Sequence, residues 1–186
     1  MKVSAHALVP GLAAVVLALS AGFAGADDKD DKKGPMTLQV RLSGFSEVPT
    51  VSTTGTGSFK ATVDPVSGNI DYTLTYSGLQ GRVTQSHIHI GPRQNTGGIA
   101  IWLCQTATNV APVTTPPSVV PTCPDPSGTV TGTITAAHVV GPTAQLITAG
   151  QLDEVLAAIR AGLAYVNVHS AAVGSGEIRG QFRRHH

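Results

Sequence analysis

Charge and aromatic side chains are scarce in this 186-residue chain: 12% of residues are charged and 4% are aromatic. Lys and Arg total 12 against 11 Asp and Glu, a formal net charge of +1. No long basic run occurs, and phosphate backbones are held by clustered cations, so no nucleic-acid partner is expected. There are only two cysteines, without Cys-x-x-Cys spacing, which argues against a thiolate metal cluster or a redox pair. A Gly-x-Ser-x-Gly elbow and a His-Glu-x-x-His helix are also missing. Gly97-Gly98 lacks the strand–loop–helix setting and the lysine of a phosphate-binding loop. Beyond the first 26 residues no apolar run is long enough to cross a bilayer. What is present suits one folded domain: 41% hydrophobic residues, 21 Gly and 12 Pro, too apolar a chain for complete disorder.

Residues 1–26, MKVSAHALVPGLAAVVLALSAGFAGA, carry Lys2, an apolar stretch from Leu12 to Leu19, and the small residues Ala24-Gly25-Ala26. This is the three-part layout of a secretory signal peptide. Pro10 and Gly11 interrupt it early, and its apolar run is shorter than the ~20 residues of a membrane span. Cleavage after Ala26 would leave 160 residues (186 minus 26) starting at Asp27, secreted or periplasmic, with no membrane span after signal removal. Residues 27–35, opening DDKDDKKG, have too little apolar surface to offset ordering entropy and read as a charged disordered tail. The folded domain is expected over residues 36–183.

Export makes Cys104 and Cys123 a disulfide pair, since thiols seldom stay free outside the cytosol. The segment between them, QTATNVAPVTTPPSVVPT, has no helical or strand period. A bridge across it would contribute roughly 3 kcal/mol by restricting the unfolded chain.

Alternation of apolar and polar residues predicts strands through most of residues 37–182. Leu38, Val40 and Leu42 alternate with polar neighbours, and Phe59–Val63 joins a run at Tyr72, Leu74 and Tyr76 through the turn residues Asp64–Asn69. Further strands are expected at Val83–Ile90, Ile99–Cys104, Thr129–Ile134, Ala164–Ser170 and Glu177–Phe182. Leu152, Val155, Leu156 and Ile159 instead follow the spacing of an amphipathic helix, with Gly162 as its stop. Short strands with turns between them predict an all-β fold, an antiparallel Greek-key-like β-sandwich with one short helix.

Three polar runs stand out. In Ser86-His87-Ile88-His89-Ile90 the two histidines share a strand face, roughly 6.6 Å apart along the rise. They suit either a common metal ion or hydrogen bonding on a solvent face. In Tyr165-Val166-Asn167-Val168-His169 the polar residues share one face and the valines the other, as in a ligand site or a buried polar network. In Glu177-Ile178-Arg179-Gly180-Gln181 the acid and the arginine suit an ion pair, hydrogen bonds that orient a ligating histidine, or charges on a rim. If the strands are adjacent, His169 joins His87 and His89 as a third imidazole. Three neutral imidazoles with one open position suit copper or zinc. His138 reads as a surface or loop residue, and His185-His186 as a frayed end.

These runs resemble the CHRD domain, the module of chordin and of many exported bacterial proteins. The resemblance spans about Met36 to Phe182. It rests on Glu47-Val48-Pro49, His87-Ile88-His89 before Gly91, Tyr165-Val166-Asn167-Val168-His169 and Gly176-Glu177-Ile178-Arg179-Gly180-Gln181; the Leu103-Cys104 run resembles a cysteine-containing exported branch. It implies a β-sandwich module of undefined biochemical role and no catalytic residues.

Three functions are compatible with these residues. The first is an exported binding module whose His/Asn/Glu/Arg face engages an unknown protein or glycan. The second is a copper- or zinc-binding protein using His87, His89 and His169, with Tyr165, Asn167, Glu177 and Arg179 around them. The third is a metal-dependent oxidoreductase similar to superoxide dismutase, for which a bridging histidine and a zinc-site Asp are not recognisable.

Overall fold

The alternating runs fold as strands. A computed structural model describes residues 34–113 and 119–184. The signal-like segment 1–26, the charged tail through Lys33, residues 114–118 between the cysteines and His185-His186 lie outside the described residues. The strands are β1 (Met36–Ser43), β2 (Thr56–Val63), β3 (Ile70–Ser77), β4 (Val83–Ile90), β5 (Gly98–Cys104), β6 (Gly128–Ile134), β7 (Ala164–Ser170) and β8 (Ile178–Gln181), with helix α1 (Leu152–Arg160) before β7. They form one antiparallel sheet in the order β5-β4-β7-β8-β1-β2-β3-β6. The sheet curls into a sandwich-like barrel and so brings β3 to β5, where the Tyr72 hydroxyl donates to the Leu103 carbonyl at 2.6 Å.

Strand parity decides what is buried. On β1, Leu38, Val40 and Leu42 face the core while Thr37, Gln39 and Arg41 are exposed. β2 and β3 pair from Thr56 opposite Ser77 to Val63 opposite Ile70, around a turn in which Asp64 Oδ1 accepts from the Val66 and Ser67 amides. Phe59 anchors the interior, stacked on Tyr72 and edge-on to Phe182. β7 breaks the half-buried pattern: all seven of its residues are buried. Val166 and Val168 enter the core, and loops cover the polar side.

Helix α1 buries the four residues that its period predicts, Leu152, Val155, Leu156 and Ile159. Asp153 and Glu154 in the first turn and Arg160 in the last complement its dipole. Gly162, at φ 72°, turns the chain out of the helix, as a residue without Cβ can. At the edge of the sheet, β5 is partly covered: the Val140 amide donates to Ala100 and Val139 lies opposite Ile101.

Cys104, the last residue of β5, is bridged to Cys123. The chain beside the bridge is held by Gln105 N–H to Pro121 O and Cys123 N–H to Gln105 O, both at 2.9 Å. Replacing both cysteines by serine is expected to lower unfolding free energy by about 3 kcal/mol, from the loop that the bridge closes. Non-reducing urea denaturation measures it; a midpoint equal to wild type would show that the bridge contributes nothing.

Candidate metal centre

Backbone pairing builds the site. β4 and β7 place His87 opposite Asn167 and His89 opposite Tyr165. β7 and β8 place Asn167 opposite Arg179 and Tyr165 opposite Gln181. Opposed residues share a face, so His87, Asn167 and Arg179 form one row across three strands, and His89, Tyr165 and Gln181 the next. His169, two residues beyond Asn167, extends the cluster. One ligand nitrogen from each of His87, His89 and His169 lies within 4.8 Å of the others. The adjacency that parity left open is present.

Hydrogen bonds assign the ring protons. His89 Nδ1 lies 2.9 Å from the Gly97 carbonyl and His169 Nδ1 lies 2.9 Å from the Gly174 carbonyl. A carbonyl only accepts, so both Nδ1 atoms carry hydrogen and both Nε2 atoms of the neutral rings are bare lone pairs. His169 Nε2 stands 3.2 Å from His87 Nδ1. His89 is also stacked on Tyr165, centroids 4.8 Å apart, and the Tyr165 hydroxyl accepts the Gly97 amide at 3.1 Å. The loop 91–97 thereby orients this ring from two sides.

The cluster is buried and rich in acceptors. Among the described residues, His87 Nε2, His89 Nε2, Glu47 Oε1 and Asn167 Oδ1 are buried without a hydrogen-bond partner. Burial, reinforced by the adjacent imidazoles, pushes His87 down to about 2. Burial also pushes His89 down to about 4, against its bond to Gly97, and lowers His169. Glu47 is lifted to about 7 by burial, with Arg179 pulling the other way. Gly176, at φ 123°, makes room: a Cβ there would lie 2.5 Å from Glu47 Oε1 and 2.8 Å from Asn167 Nδ2.

The other polar residues divide between this site and its surroundings. Arg179 lies over the Tyr165 ring, 3.4 Å from the centroid, and donates to the Asn95 and Pro92 carbonyls at 2.9 and 3.2 Å. Glu177 does not pair with Arg179 or a histidine. Its carboxylate accepts from Thr53 Oγ1, the Gln80 amide and Ser170 Oγ at 2.5, 2.8 and 2.5 Å, fastening two loops to β7. His138 is buried rather than on the surface, where its Nδ1 accepts the Thr135 amide. Spacing alone gave no reason to place Glu47 in the site, because it lies in a loop without period. Trp102, opposite His87 on β5, packs edge-on to that ring at 4.4 Å.

The sequence matches the CHRD domain family model over residues 38–182. The chain belongs to the CHRD domain family. The match runs from β1 to the residue after β8, so the histidine cluster lies wholly within the CHRD domain. No curated protein and no solved structure matches the chain.

The shifts give a pH dependence of definite sign. Histidines with depressed folded pKa values contribute stability that is complete above the unfolded value near 6.5 and lost as pH falls toward 4, because the unfolded chain binds those protons first. Glu47 acts oppositely, its contribution present below 4.5 and lost as pH rises through about 7. Two strongly depressed imidazoles outweigh one raised carboxyl. Thermal melts of metal-free protein are therefore expected to show Tm falling from pH 6.5 to 4, and Glu47→Gln is expected to steepen the fall. A profile flat or rising toward acid in both proteins would contradict this balance.

Proposed function

We propose that this CHRD domain is an exported binding module that holds one copper or zinc ion through His87, His89 and His169. The observation that carries the reading is the set of bare, buried imidazole lone pairs, two of them fixed by carbonyl bonds at the opposite ring nitrogen. Such carbonyl bonds orient ligating histidines and raise their basicity. The 3.2 Å between His87 Nδ1 and His169 Nε2 is close to the roughly 3.3 Å separating two nitrogens bound at 2.0–2.1 Å to a tetrahedral ion, and the three-ring set, within 4.8 Å, would draw in around an ion. Without a cation, His87 must donate its only ring proton across that gap, leaving its own Nε2 unpartnered. A cation takes up the Nε2 lone pair of His89, otherwise a buried acceptor without a partner at a cost of about 1–3 kcal/mol, and replaces the proton between His87 Nδ1 and His169 Nε2.

Neutral imidazoles suit both metals, and three protein ligands leave one coordination position for water or a further ligand. We assign no catalytic residue. The bridge between Cys104 and Cys123 and the signal-like segment 1–26 support a secreted or periplasmic location.

Isothermal titration of metal-stripped protein with Cu²⁺ and with Zn²⁺ tests the reading. The protein carries His185→Ala and His186→Ala to remove terminal imidazoles. One ion per chain is expected, with a rise in Tm on binding. His87→Gln and His169→Gln are each expected to weaken binding by at least about tenfold, the loss seen when only a group orienting a ligand is removed, while Thr53→Ala leaves stoichiometry unchanged. Equal binding by wild type and both histidine variants, with native near-UV circular dichroism, would remove the site.

A further inference from the structure

The polar side of the sheet continues past Arg179 onto β1. Ser43 lies opposite Arg179, and extending that antiparallel register places Arg41 beside Gln181 and Gln39 beside Arg183. Here the surface opens into a groove of about 670 Å³ lined in part by Gln39, Arg41, Ser46, Arg93, Gln181 and Arg183. Three of the chain's seven arginines meet at this groove, and no carboxylate among the described residues lines it. Among the described residues the only ion pair is Arg82 with Asp125, so Arg41, Arg93 and Arg183 have no acidic partner among those residues. In a protein of net charge +1, this is a local concentration of unneutralised cations.

The groove adjoins a second of about 420 Å³, which shares Ser46 and Arg93 with it and is lined by Phe45, Pro49 and one acid, the buried Glu47. The Phe45 side chain is 74% exposed, an aromatic surface beside the cationic one. Guanidinium forks match carboxylates in a bidentate manner. Gln39, Ser46 and Gln181 offer hydrogen bonds to hydroxyl groups, and an aromatic ring packs on the apolar face of a pyranose. A single exposed aromatic is not the ladder of stacking platforms that single-stranded nucleic acid uses. Three cations suit a chain with one charge per ring better than a densely sulfated one.

We propose that this groove binds an extended acidic polysaccharide of the uronate class, its carboxylates on Arg41, Arg93 and Arg183 and one sugar face on Phe45. None of these residues belongs to the histidine cluster, so the proposal stands or falls independently of metal binding. The probe is hexagalacturonate, titrated into metal-free full-length protein and followed calorimetrically at two salt concentrations. Binding is expected to weaken with salt. Arg41→Ala combined with Arg93→Ala is expected to weaken it at least about tenfold, the scale of losing charge-assisted hydrogen bonds. Phe45→Ala should weaken it less, and Arg160→Ala on α1 not at all. All four positions are exposed, and unchanged Tm verifies folding. Absence of hexagalacturonate binding, equal binding by the double arginine variant, equal binding of a neutral hexasaccharide, or tighter binding of a sulfated hexasaccharide or oligo-dT would each overturn the proposal.

Discussion

The hydrogen-bonded register of β4, β7 and β8 is the constraint on which the histidine cluster depends. Side chains alternate along a strand, so a one-residue slip of β7 would turn Tyr165, Asn167 and His169 into the core and expose Val166 and Val168. Burial opposes that slip: Val166, Val168, Ile88 and Ile178 are completely buried on the core side. Each large aliphatic side chain contributes about 1.5–3 kcal/mol when fully removed from water. The apolar face therefore holds the polar one in place.

Loops then convert an exposed strand face into an enclosed one. Arg179 clasps the carbonyls of Pro92 and Asn95, and Gln181 Nε2 donates to those of Gly91 and Gly162. Glu177 fastens the segments at Thr53 and Gln80 to Ser170. The Arg179 bonds and the Gln181 bond to Gly91 fix the loop bearing Gly97, whose carbonyl in turn fixes His89. Hydrogen bonds to charged groups contribute about 1.5–3 kcal/mol each, enough to hold a covering that also buries unpartnered acceptors. The bonds that close the fold over this face are therefore the ones that enclose the histidine cluster.

Much of this could be read from residue order, for local reasons. Period 2 located β1, β3, β4 and β7, and period 3.6 located α1 with its four buried residues. Parity also placed His87 with His89, and Tyr165 with Asn167 and His169. Their adjacency could not be read that way, because it depends on β4 pairing with β7 across a separation of about eighty residues. Glu177 shows a second limit. Its spacing from Arg179 suggested an ion pair, but β8 begins only at Ile178, and the glutamate is drawn to donors from three other segments. Glu47, Gly97 and Gly174 occupy loops, where no period indicates direction. Their roles follow from tertiary closure.

The packing of Trp102 against His87 has an optical consequence. It is the chain's single tryptophan, and its ring centroid stands 4.4 Å from that imidazole. Indole emission responds to nearby charge and to quenching by open-shell ions. The molecule thus contains an intrinsic fluorophore at the edge of its own histidine cluster, and arrivals there can be followed by light without attaching a label.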